Sequence, residues 1–184
     1  MRFARFAIAA ALTVAILTPA SAFTVEPVPE WNLIFDRHLV TGVALVYDDA
    51  ADRCYSSAPM RIYDRFLPAS TFKILHSLIA LETGVVSDET QVISWDRTER
   101  DVKEWNRDMN MQEAIACSAV WFYQELARRI GRERMEDWIH RANYGNGETG
   151  DAIDSFWLDG KLRISALEQL NFMRRLKTGN LRFS

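Results

Sequence analysis

Residues 68–84 read Pro-Ala-Ser-Thr-Phe-Lys-Ile-Leu-His-Ser-Leu-Ile-Ala-Leu-Glu-Thr-Gly. The apolar spacing predicts a helix that Ser70 caps and that ends at Gly84. Ser70 and Lys73 would share one face of this helix. A serine hydroxyl is a weak nucleophile at neutral pH, and a lysine in apolar surroundings can supply the base that it needs. Alone, however, so short a pattern occurs by chance, and a helix cap beside a solvated lysine is the ordinary interpretation.

Three further segments follow this one in a particular order. They are Ser118-Ala119-Val120, Tyr144-Gly145-Asn146 and Phe156-Trp157-Leu158-Asp159-Gly160. Together with Pro-Ala-Ser-Thr-Phe-Lys, they resemble the motifs of the class D, or oxacillinase-type, serine β-lactamases in order and separation. The resemblance runs from Trp31 to the end of the chain. It implies an α/β fold of the serine β-lactamase and penicillin-binding-protein type, with a helical region and an antiparallel sheet.

The resemblance also implies a mechanism. Ser70 would attack the β-lactam carbonyl, and Lys73, carrying a carbamate formed with carbon dioxide, would act as general base for acylation and deacylation. Ser118 would relay a proton to the leaving nitrogen, and the Trp157 indole N–H would donate to a carbamate oxygen. Carbon dioxide adds only to a neutral amine, so the mechanism requires apolar surroundings that lower the lysine pKa. The residues expected to provide them are Phe72, Val120, Trp157 and Leu158.

Further residues would line the substrate site by the same resemblance. They are Phe72, Val102, Trp105, Val120, Tyr144, Asn146 and Leu158. Several of the motif residues also have ordinary structural interpretations. Ser118 before a helix is a typical N-cap, Tyr-Gly-Asn-Gly is typical of a turn, and Trp157 is a typical core aromatic.

One family signature, a Lys-Thr-Gly strand, has only a misleading match here. Lys177-Thr178-Gly179 directly follows a basic amphipathic helix, where Gly179 is typical of a C′ residue. The triplet also lacks the β-rich run that a central strand needs. We therefore expect the family's strand, the later strands of the sheet and the terminal helix to lie beyond residue 184. On this interpretation, residues 23–184 are a partial domain that by itself hydrolyses β-lactams only at background rate.

Composition is compatible with this resemblance. The chain has 184 residues, of which 48% are hydrophobic, and suits a soluble unit with a real core. Acidic residues outnumber basic ones by 25 to 22, which argues against a nucleic-acid partner. The one local basic cluster, at Arg174, Arg175 and Lys177, is typical of a solvated helix face. The expected partner is therefore a small-molecule β-lactam.

The N-terminus has the features of a targeting segment. Arg2 and Arg5 precede an apolar run from Phe6 to Leu17, and Ala20-Ser21-Ala22 has the small-x-small pattern of a cleavage site. The run is too short for a comfortable membrane span. Residues 1–22 are therefore predicted to be a signal peptide, with the mature domain over 23–184 in the periplasm and without a permanent membrane anchor.

The cysteines and histidines predict no cross-link or metal centre. Cys54 and Cys117 do not form a disulfide framework, and two separately buried thiols are favoured over a pair. His38, His76 and His140 show no metal-ligand spacing, so no metal is expected.

The remaining pattern predicts a hairpin and several helices. The strands are expected at Thr41 to Tyr47 and Arg53 to Ser57, joined by a turn. Helices are expected at Trp31 to Leu39, Met111 to Ala116, Ala119 to Ile130, Arg132 to Ala142 and Ser165 to Lys177, the last with a capping box of Ser165 and Glu168.

Two other functions share the Ser-x-x-Lys pattern. A penicillin-binding transpeptidase typically places Asn where Val120 stands here and has a larger chain. A β-lactam sensor domain forms the same acyl-serine without releasing it, and such domains follow a long membrane segment rather than a short signal peptide.

Overall fold

The computed structural model describes residues 24–184, so the predicted signal peptide lies outside the described residues. Over this part of the chain the structure is mainly helical, as the periodicity predicts. The helices are α1 Asn32–Arg37, α2 Phe72–Glu82, α3 Met111–Ala116, α4 Val120–Ile130, α5 Arg132–Arg141 and α6 Ala166–Lys177.

A three-stranded sheet precedes most of the helices. Its strands are β1 Val25–Pro27, β2 Leu45–Asp48 and β3 Arg53–Ser56, in the order β1-β3-β2. The predicted hairpin is confirmed, because β2 and β3 pair antiparallel with Tyr47 opposite Cys54. Its first strand begins at Leu45 rather than Thr41, and β1 adds a parallel partner that makes the sheet mixed.

A second, two-stranded sheet connects distant parts of the chain beside the Ser70 segment. Strand β4, Arg65–Phe66, pairs antiparallel with β5, Ile164–Ser165. Helix α6 begins directly after β5, and the predicted capping box is confirmed by reciprocal hydrogen bonds between Ser165 and Glu168. Arg65 also forms an ion pair with Glu168. The segment before α2 is thus tied to the start of α6.

The core lies where α2 packs against α4 and α5. Phe72, Leu75 and Ile79 recur at helical spacing along α2 and are fully buried. On α4 the buried residues include Phe122 and Leu126. Because α2 is anchored by its apolar face, the side chains at its N-terminal end are held in fixed positions.

Two sequence predictions about helix ends are settled by the structure. Ser70 does not cap α2: it lies in a 3₁₀ turn over Ala69–Thr71, and the N-cap position belongs to Thr71, without a side-chain capping bond. Lys177 is the last residue of α6 and Gly179 has φ +68°, which confirms that this Lys-Thr-Gly triplet is a helix end. The Ser70 prediction was wrong because its hydroxyl has other partners.

The cysteines are both free thiols, as predicted. Cys54 is buried, but Cys117 is only half-buried, which corrects the expectation of two buried thiols. Across residues 24–184 no helix is long and apolar enough to cross a membrane.

Candidate active site

The Ser70 turn is fixed to the Trp157 segment. Ala69 has a left-handed backbone, φ +45°, and its N–H donates to the carbonyl of Trp157 at 2.9 Å. Non-glycine residues rarely adopt this conformation, and strained positions of this kind concentrate at functional sites. The consequence is that Ser70 stands on a rigid turn and is itself exposed.

Three side chains meet in a closed hydrogen-bonded triangle. The Lys73 Nζ lies 3.0 Å from the Ser70 Oγ and 3.0 Å from the Ser118 Oγ. The two hydroxyl oxygens are 2.9 Å apart. A nucleophile, a base and a second hydroxyl are therefore within proton-transfer distance of one another.

Ser118 reaches this triangle because of the connection between α3 and α4. Its φ is +54°, and the N-cap of α4 is Ala119, so the expected alternative role of Ser118 as a cap does not apply. The Trp105 indole donates to the carbonyl of Cys117 at 3.0 Å, and the Trp121 indole donates to the carbonyl of Trp105 at 2.7 Å. These two bonds fix the backbone immediately before Ser118.

Burial sets the electrostatics of Lys73. The residue is only 1% exposed, whereas Ser70 faces solvent. Burial lowers the pKa of the Lys73 amine, because desolvation penalises the ammonium form. Its hydrogen-bond partners are two neutral hydroxyls, which stabilise an ammonium less than a carboxylate would. Both features favour a neutral, basic amine.

Trp157 provides an unused donor in the same interior. It is fully buried, stacks on Phe72 with ring centroids 5.7 Å apart, and meets Phe156 edge-on at 5.0 Å. Its Nε1 has no hydrogen-bond partner within residues 24–184. Leaving a buried donor unpaired costs about 1–3 kcal/mol, so we expect this N–H to bind an acceptor.

His76 is a polar residue of this interior that sequence analysis treated only as an isolated histidine. It is fully buried, and neither ring nitrogen has a partner in the described part of the chain. Burial is the main cause that lowers the pKa of His76 to about 3, so the imidazole is neutral at physiological pH. Its position three residues after Lys73 was the available signal, since both residues then share a helix face.

Phe72 and Tyr144 belong to the buried interior next to the site. Both side chains are buried, with 0% and 1% exposure, and their rings meet edge-on at 5.6 Å. The Tyr144 hydroxyl donates to Gln169 Oε1 at 2.8 Å, and burial raises the pKa of Tyr144 to about 12. Their position gives the site a rigid interior rather than an open substrate surface.

Asn146 fastens the Tyr-Gly-Asn loop to the segment before α6. Its Nδ2 donates to the carbonyl of Lys161 at 3.0 Å, and its Oδ1 accepts from the N–H of Arg163 at 2.9 Å. Gly145 has φ +58°, and a Cβ there would lie 2.1 Å from the carbonyl oxygen of Arg163. This loop therefore requires glycine for both its backbone conformation and its close approach.

The other expected substrate-lining residues lie near the motif segments. Val102 is 40% exposed and precedes a 3₁₀ turn over Lys103–Trp105. Val120 is the first residue of α4 and half-buried, and Leu158 is half-buried against the core. The hydrogen bonds of the triangle do not involve Val102, Val120 or Leu158. Residues 24–184 also hold no cluster of three or more metal-ligating side chains.

A Ser-x-x-Lys pair at the N-terminal end of a helix, with a buried lysine that also contacts a second serine, is typical of the active-serine class of penicillin-recognising proteins. A family model, the penicillin binding protein transpeptidase domain, matches residues 42–182. The chain belongs to this family and, within it, to the class D β-lactamases, as the following relatives indicate.

The curated relative β-lactamase OXA-48 of Klebsiella pneumoniae is 45% identical over 166 residues, which is 90% of this chain. A class D β-lactamase structure from Sebaldella termitidis matches 89% of the chain with a TM-score of 0.83 and 36% identity. A class D structure from Nostoc matches 82% with a TM-score of 0.77 and 45% identity. The chain spans 63% of the Klebsiella relative and 66% and 64% of the two solved chains. These matches confirm the family and the fold type expected from the motifs.

Proposed function

We propose that this protein hydrolyses β-lactams through an acyl-enzyme formed on Ser70. The observation that carries the proposal is the triangle of Ser70, Lys73 and Ser118, with contacts of 2.9–3.0 Å and a buried lysine. Membership of the class D family supports β-lactams as the substrate class.

The first half of the reaction is acylation. The Ser70 Oγ attacks the lactam carbonyl carbon as its proton passes to the basic group at Lys73. The carbon–nitrogen bond of the lactam then breaks, and Ser118 delivers its proton to the leaving nitrogen and regains one from the group at Lys73. General acid–base assistance of this kind contributes about 10²- to 10⁴-fold in rate. In the second half, the basic group at Lys73 takes a proton from water as the water oxygen attacks the ester carbon. The bond from that carbon to the Ser70 Oγ then breaks, and the Ser70 oxygen takes up the proton, which restores its hydroxyl.

We further propose that Lys73 is carbamylated by carbon dioxide. Its burial favours the neutral amine that carbon dioxide requires, and the unpaired Nε1 of Trp157 is a donor suited to a carboxylate oxygen. A carbamate supplies a general base that remains available for deacylation. Lys73 would carry it, Trp157 would donate to it, and the apolar neighbours Phe72 and Leu158 would limit the access of water.

Pre-steady-state kinetics separate this function from the two alternatives. The protein is expressed from its gene with any coding sequence downstream of Ser184, and mixed with the chromogenic cephalosporin nitrocefin. A hydrolase gives many turnovers per protein molecule, whereas a sensor stops after one. A transpeptidase releases product slowly in water and faster with an amine acceptor. A single turnover, or acceleration by an acceptor amine, would contradict the proposed hydrolysis.

Export to the periplasm is part of the same proposal. It rests on the sequence pattern of residues 1–22. Cell fractionation is expected to recover the protein with periplasmic markers, starting near Phe23. Replacing Arg2 and Arg5 by Glu is expected to retain it in the cytoplasm, and unchanged recovery of that variant with the periplasmic markers would contradict the assignment.

A further inference from the structure

Two neighbouring side chains behind Lys73 carry all the unpaired buried nitrogens in the described chain. Within residues 24–184, the buried side-chain nitrogen and oxygen atoms without a hydrogen-bond partner are His76 Nδ1, His76 Nε2 and Trp157 Nε1. Buried polar atoms in folded proteins nearly always have a partner. Three unpaired atoms on two neighbouring side chains therefore indicate that His76 and Trp157 bind a polar group.

Geometry places the two rings together beside Lys73. The His76 and Trp157 ring centroids are 5.3 Å apart in an edge-to-face arrangement. His76 is also 5.4 Å from the Phe72 ring and 5.3 Å from the Tyr123 ring. It follows Lys73 by one helical turn, so both side chains lie on the same face of α2. The two unpaired residues thus belong to the interior that surrounds the lysine.

The protonation state of His76 determines which kind of group His76 and Trp157 can bind together. His76 is neutral, because its complete burial penalises the charged imidazolium and lowers its pKa to about 3. A neutral imidazole has one N–H donor and one acceptor nitrogen, and an indole has a donor alone. The pair therefore offers two N–H groups, and a carboxylate has two oxygens able to accept them. A cation in the same place would find only one acceptor.

We propose that His76 is a positioning residue which, together with Trp157, holds the carboxylate of a carbamate on Lys73. This inference rests on the proposed function and assigns a role to a residue outside the Ser70–Lys73–Ser118 triangle. A free bicarbonate ion presents the same chemistry. The position of His76 one turn after Lys73 favours the attached group, and the test distinguishes the two.

The test measures the carbamate directly. The protein is titrated with ¹³C-bicarbonate, and the carbamate carbon is followed by NMR, with folding checked by circular dichroism. His76→Leu removes both polar nitrogens and is expected to raise the bicarbonate concentration for half-maximal signal about tenfold or more, as for a lost bond to a charged group. His76→Asn restores a donor and an acceptor and is expected to recover part of the loss. His38→Leu makes the same chemical change at an exposed position and should behave like the parent.

Each outcome has a separate meaning. A carbamate signal in the parent with an unchanged titration in folded His76→Leu would overturn the role of His76 and leave the proposed function intact. No carbamate signal in the parent at high bicarbonate would overturn the carbamylated base, and this inference with it. Lys73→Ala is expected to remove the signal. A bound ¹³C signal that persists in Lys73→Ala would show free bicarbonate, which contradicts the assignment to Lys73.

Discussion

Replacing Trp157 by Phe tests the donor role of the indole while keeping a buried aromatic ring. Without carbon dioxide, the variant loses ring volume but also loses a buried N–H that has no partner in residues 24–184. A Trp→Ala change would cost about 3–5 kcal/mol, so the smaller Phe substitution costs a fraction of that. Removing an unpaired donor returns about 1–3 kcal/mol. The two terms nearly cancel, and the free energy of unfolding is expected to change by about 1 kcal/mol or less.

Bicarbonate is expected to stabilise the parent protein more than it stabilises Trp157→Phe. A ligand at a hundred times its dissociation constant stabilises the folded state by about 2.7 kcal/mol, which corresponds to a rise in Tm of about 5–10 °C at this chain size. If the lost N–H weakens uptake tenfold, the same bicarbonate stabilises Trp157→Phe by only about 1.4 kcal/mol, or about half the rise in Tm.

The assay is thermal unfolding in carbon dioxide-free buffer and in bicarbonate, with Trp138→Phe as the matched control. Trp138 is half-buried on α5 and stacks on Phe183 with ring centroids 4.7 Å apart. The control should keep the full bicarbonate response. An equal rise in Tm for the parent and Trp157→Phe would refute the reasoning that this indole binds a group on Lys73.

Three further predictions follow from single residues. His76 binds a proton more readily in the unfolded chain than in the folded one, so stability is expected to fall as the pH drops from 6.5 towards about 3. His76→Leu should flatten this part of the stability curve measured by urea unfolding. Gly145→Ala should lower the free energy of unfolding by more than 2 kcal/mol, whereas Gly179→Ala, with a similar φ but open space around its Cβ, should cost only about 1–2 kcal/mol. Ser118→Ala should slow acylation about a hundredfold or more in stopped-flow measurements, and a smaller change would contradict its role as proton relay.

Local signals predicted much of the fold. The capping box of Ser165 and Glu168 gave the start of α6, because both partners lie within one turn. Apolar periodicity located α2 and α4 to within about two residues. The hairpin of β2 and β3 was likewise visible, since its strands are adjacent in sequence.

Contacts between segments that are distant in sequence could not be predicted from local patterns. Strand β4 pairs with β5, although Phe66 and Ile164 are far apart in sequence, and two-residue strands carry no periodicity. Strand β1 is also short and pairs with β3 in parallel, so no adjacent turn marks it.

In the candidate site, too, local features could be predicted from the sequence and contacts between distant residues could not. The Ser70–Lys73 pair followed from helical spacing, but the prediction that Ser70 caps the helix was wrong, because Lys73 and Ser118 occupy its hydroxyl. Ser118 has a left-handed backbone in the short connection between α3 and α4, a conformation that serine rarely adopts and that the sequence therefore did not predict. The unpaired nitrogens of His76 could be found only once burial was known.

The measurement that tests the central claim most directly is the site of acylation. The protein, expressed with any coding sequence downstream of Ser184, is incubated with a slowly hydrolysed penicillin and examined by intact mass and peptide mapping. The account predicts a mass increase of one penicillin on the peptide that carries Ser70, absent in Ser70→Ala and retained when the exposed Ser87 is replaced by Ala. An adduct that persists in Ser70→Ala, or a parent protein that forms none and does not turn the penicillin over, would contradict it.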